Sequence, residues 1–365
     1  MNKNKQIFEL YIDYLVTSFS YTTATGLSYL LDGEISHDQV TRFLSHKQFS
    51  SADLWKNVKD DVRKIESDDG VLIFDDTVQE KPYSSENELI SWHFDHTVGR
   101  AVKGINLLNC IYHSNEASLP VAFKLITKPI QYSDIKTKKV KRKSNTTKNE
   151  DLISILKACK QNQLKWRYVL ADSWFSSIDN MRFIDKKMKK YFLLALKSNR
   201  LIALTKEDKL QGRFQRIDEL DWSEAPICGW VKGMDIPIIL HRQIFKNKDG
   251  SEGILYLISN DIELDKESME AIYQKRWTVE VFHKNIKSNT GLAKSPAKKE
   301  KTQSNHIFMS LLATAKLEGL SVKKGLTTFG LKTVTTHPIG QYLQIMPFEL
   351  QLEGYVLCLP WFVNS

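Results

Sequence analysis

The chain has 365 residues, 42% hydrophobic and 26% charged, enough for one large core or two to three domains and too apolar for disorder along its whole length. Its 52 Lys and Arg outnumber 43 Asp and Glu, and the net charge of +9 favours a polyanionic partner, because cations along phosphates release counterions. Cys110, Cys159, Cys228 and Cys358 show neither zinc nor disulfide spacing, the polar start MNKNKQIFELYIDYL lacks a signal peptide's apolar core, and no run of about 18 apolar residues occurs. Reduced thiols, a cytoplasmic location and no membrane span are therefore expected.

Residues 1–66 read as helical. Ile7, Leu10, Tyr11, Tyr14 and Leu15 recur at helical spacing. Two short helices follow over 23–49, joined by a turn at Leu31-Asp32-Gly33-Glu34, with Ser36 as the N-cap of the second. Two short helices around a glycine-containing turn are the outline of a helix-turn-helix, and a plain helical bundle is the alternative.

The character changes at Gly70. Val71-Leu72-Ile73-Phe74 is a short apolar run that reads as a buried strand ending at Asp75-Asp76. Residues 104–112 and 119–126 read as two more strands. Between 136 and 148, seven residues are Lys or Arg (136, 138, 139, 141, 142, 143 and 148), which suggests an exposed loop placed to meet phosphates or simply solvated. A helix over 150–161, a strand over 166–171 ending at Asp172, a helix over 176–189 and a strand over 191–196 complete a mixed α/β sheet. Residues 200–265 hold further β-like runs (236–245 and 254–259) and read as a β-rich insertion. Helix returns over 266–288 and from Asn305, an expected N-cap, to 319. The segment 326–365 carries no chemical motif and is a candidate for core or dimer contacts.

Asp76 and Asp172 each follow an apolar strand, where a carboxylate is costly to bury unless a cation compensates. Two such groups at one sheet edge, joined by a third from a helix, suit hard divalent ions and phosphodiester chemistry, with water or a DNA 3′-hydroxyl as nucleophile. Asp75 competes with Asp76, since neighbouring strand residues face opposite sides. A lone strand-end Asp more often caps a turn.

The third carboxylate comes from Tyr273-Gln-Lys-Arg276-Trp-Thr-Val-Glu280-Val-Phe-His-Lys-Asn-Ile-Lys287. At about 100° per residue, Tyr273, Arg276, Glu280 and Lys287 fall near 0°, 300°, 340° and 320°, one stripe of a continuous helix. Ile272, Val279, Phe282 and Ile286 form the adjoining apolar flank. The stripe presents a metal-binding carboxylate beside a phosphate-gripping guanidinium and an ammonium. An ordinary i,i+4 salt-bridged face is the alternative.

The spacing Tyr-x₂-Arg-x₃-Glu-x₆-Lys resembles the YREK signature of DDE transposases from one large group of bacterial insertion sequences, the insertion sequence four-like family. Phe74-Asp75-Asp76-Thr77 is similar to that family's first-aspartate motif, in which the catalytic Asp precedes Thr and is here Asp76. Leu170-Ala171-Asp172-Ser173-Trp174-Phe175 is similar to the second. The resemblance spans about 70–320. It implies an RNase H-like fold with helices flanking a mixed sheet, divided as an N-terminal helical DNA-binding region (1–66), a first part of the catalytic core (67–199), the β-rich insertion (200–265), a second part with the YREK helix (266–325) and a C-terminal segment (326–365).

It further implies catalytic, metal-holding Asp76, Asp172 and Glu280, with two Mg²⁺ or Mn²⁺ ions per site. Tyr273, Arg276, Lys284 and Lys287 would contact DNA, as would Trp230 if an aromatic of the insertion stacks on a flipped base, with Trp222 as its competitor and core packing as the alternative for both. The implied partners are double-stranded DNA, as element ends and target, and a second copy of the chain in a synaptic complex within the bacterial nucleoid. Rival readings are an RNase H-like nuclease that does not join strands, an inactive transposase-derived DNA-binding protein, and a carboxylate-pair glycosidase, which leaves the basic excess unexplained. Trp277 reads as packing, His283 as a surface or hydrogen-bonding side chain, and a metal at His93 and His96 is disfavoured.

Overall fold

A computed structural model of the protein describes residues 3–332 except 19, 96, 97, 224, 247, 248, 326 and 329. The C-terminal segment expected to carry packing or dimer contacts lies almost entirely outside the described residues, as does His96.

Four helices open the chain: α1 (Lys3–Thr17), α2 (Ala24–Leu30), α3 (His37–His46) and α4 (Ser51–Ile65). Ser36 and Ser50 form capping boxes with Gln39 and Asp53, which satisfies two otherwise orphaned N–H groups at the start of α3 and of α4. Then come β1 (Val71–Glu80), β2 (Ser91–Asp95), β3 (Arg100–Ser114), β4 (Ala117–Leu125), β5 (Ile130–Ser133), β6 (Val140–Lys143) and α5 (Lys148–Gln161). They are followed by β7 (Tyr168–Ala171), α6 (Ile178–Phe183), β8 (Tyr191–Leu196), β9 (Leu201–Ala203), α7 (Lys206–Leu210), β10 (Gln215–Arg216), β11 (Ile227–Val231), β12 (Ile238–Lys246) and β13 (Glu252–Ser259). The helices α8 (Lys266–Gln274), α9 (Trp277–Ser288) and α10 (Glu300–Lys324) close the described chain.

Among the described residues, eleven strands form one sheet in the order β10-β9-β11-β12-β13-β8-β7-β1-β3-β2, with β4 also on β3. At its centre β1 pairs parallel with β7 and antiparallel with β3, and β7 pairs parallel with β8. The runs that line this centre, Val71–Phe74, Val169–Ala171 and Phe192–Leu194, are fully buried, as strands covered on both faces must be. Gly104 is required where β3 meets β1: a Cβ there would stand 2.3 Å from the Gln79 carbonyl oxygen. The strands after β8 extend the same sheet through β13, so the β-rich stretch is continuous with the core.

The N-terminal helices pack into the same body. Asn305, buried in the second turn of α10, donates to the Leu44 and Lys47 carbonyls at 2.7 and 2.6 Å and accepts from the Phe49 N–H at 2.9 Å. This corrects the expectation that Asn305 caps a helix: α10 begins at Glu300, and Asn305 instead fixes the turn between α3 and α4.

Three other expectations change. β1 does not stop at the aspartates but runs to Glu80, because β3 pairs with all ten of its residues. Part of the basic stretch is ordered as the β5–β6 hairpin. The signature helix is broken between α8 and α9, where 3₁₀-type bonds (Lys275 N to Ile272 O at 3.2 Å, Arg276 N to Tyr273 O at 2.9 Å) tighten the chain and turn Tyr273 out of register with Glu280.

Candidate active site

The register sets the site. Phe74 of β1 lies beside Ala171 of β7, so the next residues, Asp75 and Asp172, emerge side by side. α9 packs on β1 and delivers Arg276, Glu280 and His283 to Asp75. Asp75, Glu280 and His283 each offer one ligand atom, and these atoms all lie within 4.8 Å of one another. Arg276 Nη1 stands 3.8 Å from Asp75 Oδ2 and 3.5 Å from Glu280 Oε1.

Strand alternation sends Asp76 to the other face. There its Oδ2 accepts from Lys148 Nζ at 2.7 Å and from Asn106 Nδ2 at 2.8 Å, Lys148 being the first residue of α5. The Asp-Thr resemblance favours Asp76; the geometry instead brings Asp75 to Glu280. Asp172 is within electrostatic reach of both, since the charge of Asp172 raises Asp75 and that of Asp76 raises Asp172.

The protein itself does not neutralise this cluster. Burial, then Asp172 and Glu280, push the Asp75 carboxyl up to about 7, and burial followed by Asp76 raises Asp172. His283 is buried and held neutral, its pKa lowered to about 3 by burial and by Lys287 and Arg276. Asn109, opposite Asp75 on β3, donates from Nδ2 to His283 Nε2 at 3.0 Å, which leaves the proton on Nδ1, 4.0 Å from Asp75. Around the cluster, Arg276 Nε, Asn106 Oδ1 and Asn109 Oδ1 are buried with no hydrogen-bond partner among the described residues. Gathered carboxylates with raised pKa values and orphaned polar atoms fit a site built to take a cation and polar substrate atoms.

The other expected site residues fall in different environments. Tyr273 is buried, its hydroxyl donates to the Ala171 carbonyl at 3.4 Å, and burial raises its pKa to about 12, so it braces the end of β7. Lys287, about two turns on from Glu280 along the same face of α9, is partly buried and its pKa is lowered by desolvation. Lys284 is exposed. Trp230 sits half-buried in β11, paired with Ala203, away from the cluster in sequence register. Trp222 packs on Tyr256 and donates from its indole N–H to the Ile217 carbonyl at 2.9 Å. Trp277, expected to pack, is 60% exposed, with the Arg276 guanidinium 5.4 Å from its ring centroid. Asn109 has no individual sequence signal; Lys148 reads only as one of the basic stretch and His283 as a surface or hydrogen-bonding side chain, because their partners come from elements distant in sequence.

Residues 2–207, more than half of the chain, match the family described as DDE superfamily endonuclease. The chain belongs to that family. Residues 134–315 match a second family, the transposase DDE domain, and the two matches overlap across β7 and Asp172. No curated protein sequence matches significantly. The protein is thus a DDE transposase, an enzyme of DNA cleavage and strand transfer, and the mixed sheet flanked by helices fits the RNase H-like fold of such enzymes. Membership implies DNA as substrate and dependence on divalent metal, for which the carboxylate cluster offers donors. Among the described residues, no helix is long and apolar enough to cross a membrane.

Proposed function

We propose that this DDE enzyme is a YREK-group transposase of a bacterial insertion sequence, working as a homodimer on double-stranded DNA in the nucleoid. It binds the terminal inverted repeats, cuts there, and joins the freed 3′-hydroxyl to target DNA. The observation that carries this reading is the meeting of Asp75, Glu280 and His283 beside Asp172, with Arg276 between the carboxylates.

The acid set we propose is Asp75, Asp172 and Glu280, with Asp76 as the partner of Lys148. Asp75, Asp172 and Glu280 would hold two Mg²⁺ or Mn²⁺ ions, which when bound would supply Lewis-acid charge for phosphodiester cleavage. Arg276 bridges two carboxylates now and can turn its planar fork to a phosphate when DNA enters. Lys287 and Lys284 follow the backbone along α9. His283, held by Asn109, fixes the position of Asp75. Tyr273 orients β7 instead of touching DNA. Trp230 remains a candidate stacking residue of the β-rich insertion, and 1–66 the region that reads the ends.

The test uses a duplex bearing the element's own end, incubated with Mg²⁺. The wild-type protein should cut and then join the end to a second duplex, whereas Glu280→Gln should bind without cutting. Cutting without joining would favour the nuclease reading, and neither activity in the folded wild type would end the proposal.

A further inference from the structure

The β5–β6 hairpin forms a sheet of its own, apart from the eleven-stranded one. Residues 130–143 hold six Lys and Arg against a single carboxylate, Asp134, which keeps the ribbon out of the core. A two-stranded ribbon is marginal in water unless something ties it. Here the ties are explicit. The Asp134 carboxylate accepts from the Thr137 N–H at 2.7 Å, from Thr137 Oγ1 at 2.8 Å and from Lys141 Nζ at 2.7 Å. Backbone bonds close the same turn, from the Lys138 N–H to the Asp134 carbonyl at 2.8 Å and from the Asp134 N–H to the Lys139 carbonyl at 2.9 Å. At the base, Ser144 Oγ donates to the Thr127 carbonyl at 2.7 Å, and Arg142 stands 3.6 Å from Glu86.

This fixed tip carries an apolar point. Ile135, within the turn, is 95% exposed, and Val140, the first residue of β6, is 67% exposed. Lys136, Lys138 and Lys139 lie exposed around Ile135 and pair with no carboxylate among the described residues, because Asp134 is taken by Thr137 and Lys141. A solvated turn accounts for the lysines but not for a stiff mount under a bare isoleucine, whose apolar surface is costly in water. A protein partner would have to bring its own acids. Duplex DNA brings phosphates on both sides of a groove and apolar base faces between them. Basic elements that enter the minor groove part a base step with just such a side chain and kink the duplex by roughly 20–90°. The arm also stands where a kink would matter: residues 144–147 join β6 to Lys148, whose ammonium bonds Asp76 beside the carboxylate cluster.

We propose that the β5–β6 hairpin is a DNA-bending arm, in which Lys136, Lys138 and Lys139 take phosphates across the minor groove and Ile135 wedges between two base pairs of the duplex. This rests on the reading that the enzyme cuts duplex DNA at Asp75, Asp172 and Glu280. The arm holds the duplex bent beside that site.

The experiment uses a duplex of about 30 base pairs with a central TA step, an easily unstacked one, carrying a donor and an acceptor dye at its two ends. Full-length wild-type, Ile135→Ala, Ile135→Leu and Lys136→Gln/Lys139→Gln proteins are added to saturation in chelator, so that nothing is cut. Energy transfer should rise with the wild type and with Ile135→Leu, and most of that rise should vanish with Ile135→Ala. Ile135 supports no core, so the variants keep the fold. The double lysine variant should lower the slope of log affinity against log salt by about 0.9 for each phosphate it no longer neutralises. No rise with saturating wild type overturns the proposal, as does a full rise with Ile135→Ala. An unchanged salt slope in the double variant also overturns it, since the lysines would then face something other than DNA. Glu280→Gln separates the two readings: it should bend the duplex as the wild type does and lose cleavage of end-bearing duplex in Mg²⁺. Bending without cleavage by the wild type would count against the cutting reading alone.

Discussion

Asp75 and Asp76 are neighbours on one strand with similar side-chain exposure, 14% and 18%, so depth of burial does not distinguish them. Their partners do. Asp76 has an ammonium at 2.7 Å and an amide at 2.8 Å, a locally satisfied charge. Asp75 Oδ1 accepts from the Asp76 N–H at 2.8 Å, but no ammonium pairs with it at that range: its neighbours are Glu280, Asp172 and a neutral histidine, and Arg276, 3.8 Å away, is shared with Glu280. One face of β1 thus solves its electrostatic problem with protein atoms, and the other leaves it to something that binds. A carboxylate gathered with others and short of a counter-charge is a better marker of chemistry than a group merely buried.

The contrast breaks most sharply in activity. Asp75→Asn and Glu280→Gln should each lower DNA cleavage by at least about 10⁴-fold, the scale at which loss of one group of a catalytic unit is felt. Asp76→Asn removes only the anchor of Lys148 and should cost about 10- to 100-fold, as supporting partners of a metal site do. Single-turnover cleavage under saturating Mg²⁺ measures both. If the two losses trade places, Asp76 is the metal-holding aspartate and the face of β1 turned to α9 is structural.

The support of Asp75 gives a smaller effect. Asn109→Ala removes the hydrogen bond that orients His283, and should reduce cleavage by roughly 10-fold while leaving the fold intact. Asn109→Asp, which can still hydrogen-bond the imidazole, should favour the protonated ring and shift the pH profile of cleavage. An alanine variant with unchanged cleavage would reduce His283 to a packing residue.

What the chain discloses before folding follows the same division. Apolar runs and capping residues suffice for the first half of β1 and for β7, β8 and α3, because burial and local hydrogen bonds act within a few residues, whereas the second half of β1 follows from its pairing with β3. The placing of Asp172 just past a strand and of Glu280 on a helix is legible from the apolar run before one and the periodicity around the other. The choice within Asp75-Asp76 is not, because it depends on which face α9 covers, and α9 joins β1 from some 200 residues away in sequence, an order-of-magnitude separation no local period encodes. The break before α9 also escapes periodicity, since a tightened turn at Lys275-Arg276 shifts Tyr273 without altering any residue type. The role of Asn305 escapes for the same reason: a cap and a bridge to a distant turn use the same amide, and only the partners Leu44, Lys47 and Phe49 distinguish them.

The smallest expected effect is thermodynamic and isolates Asp75 from catalysis. Its folded pKa, about 7, lies above the ordinary value of 3.8, so between those values the folded state holds a proton that the unfolded state has released. Stability from this group is therefore full below 3.8, falls as pH rises, and reaches its lowest level above 7. Asp75→Asn removes the penalty without removing the side chain's volume. In chelator, the variant should melt with the wild type near pH 3.8 and a few degrees, about 2–4 °C, above it once the pH exceeds 7. Other acid-titrating groups act on both proteins and cancel in the difference. Added Mg²⁺ or Mn²⁺ should close the gap above pH 7 by stabilising the wild type, because the ion replaces the proton as the partner of the carboxylate. Calorimetry that finds the same difference at both ends of the range, or a gap indifferent to metal, would mean that Asp75 is held by the protein as firmly as Asp76, and the contrast between the two faces of β1 would disappear.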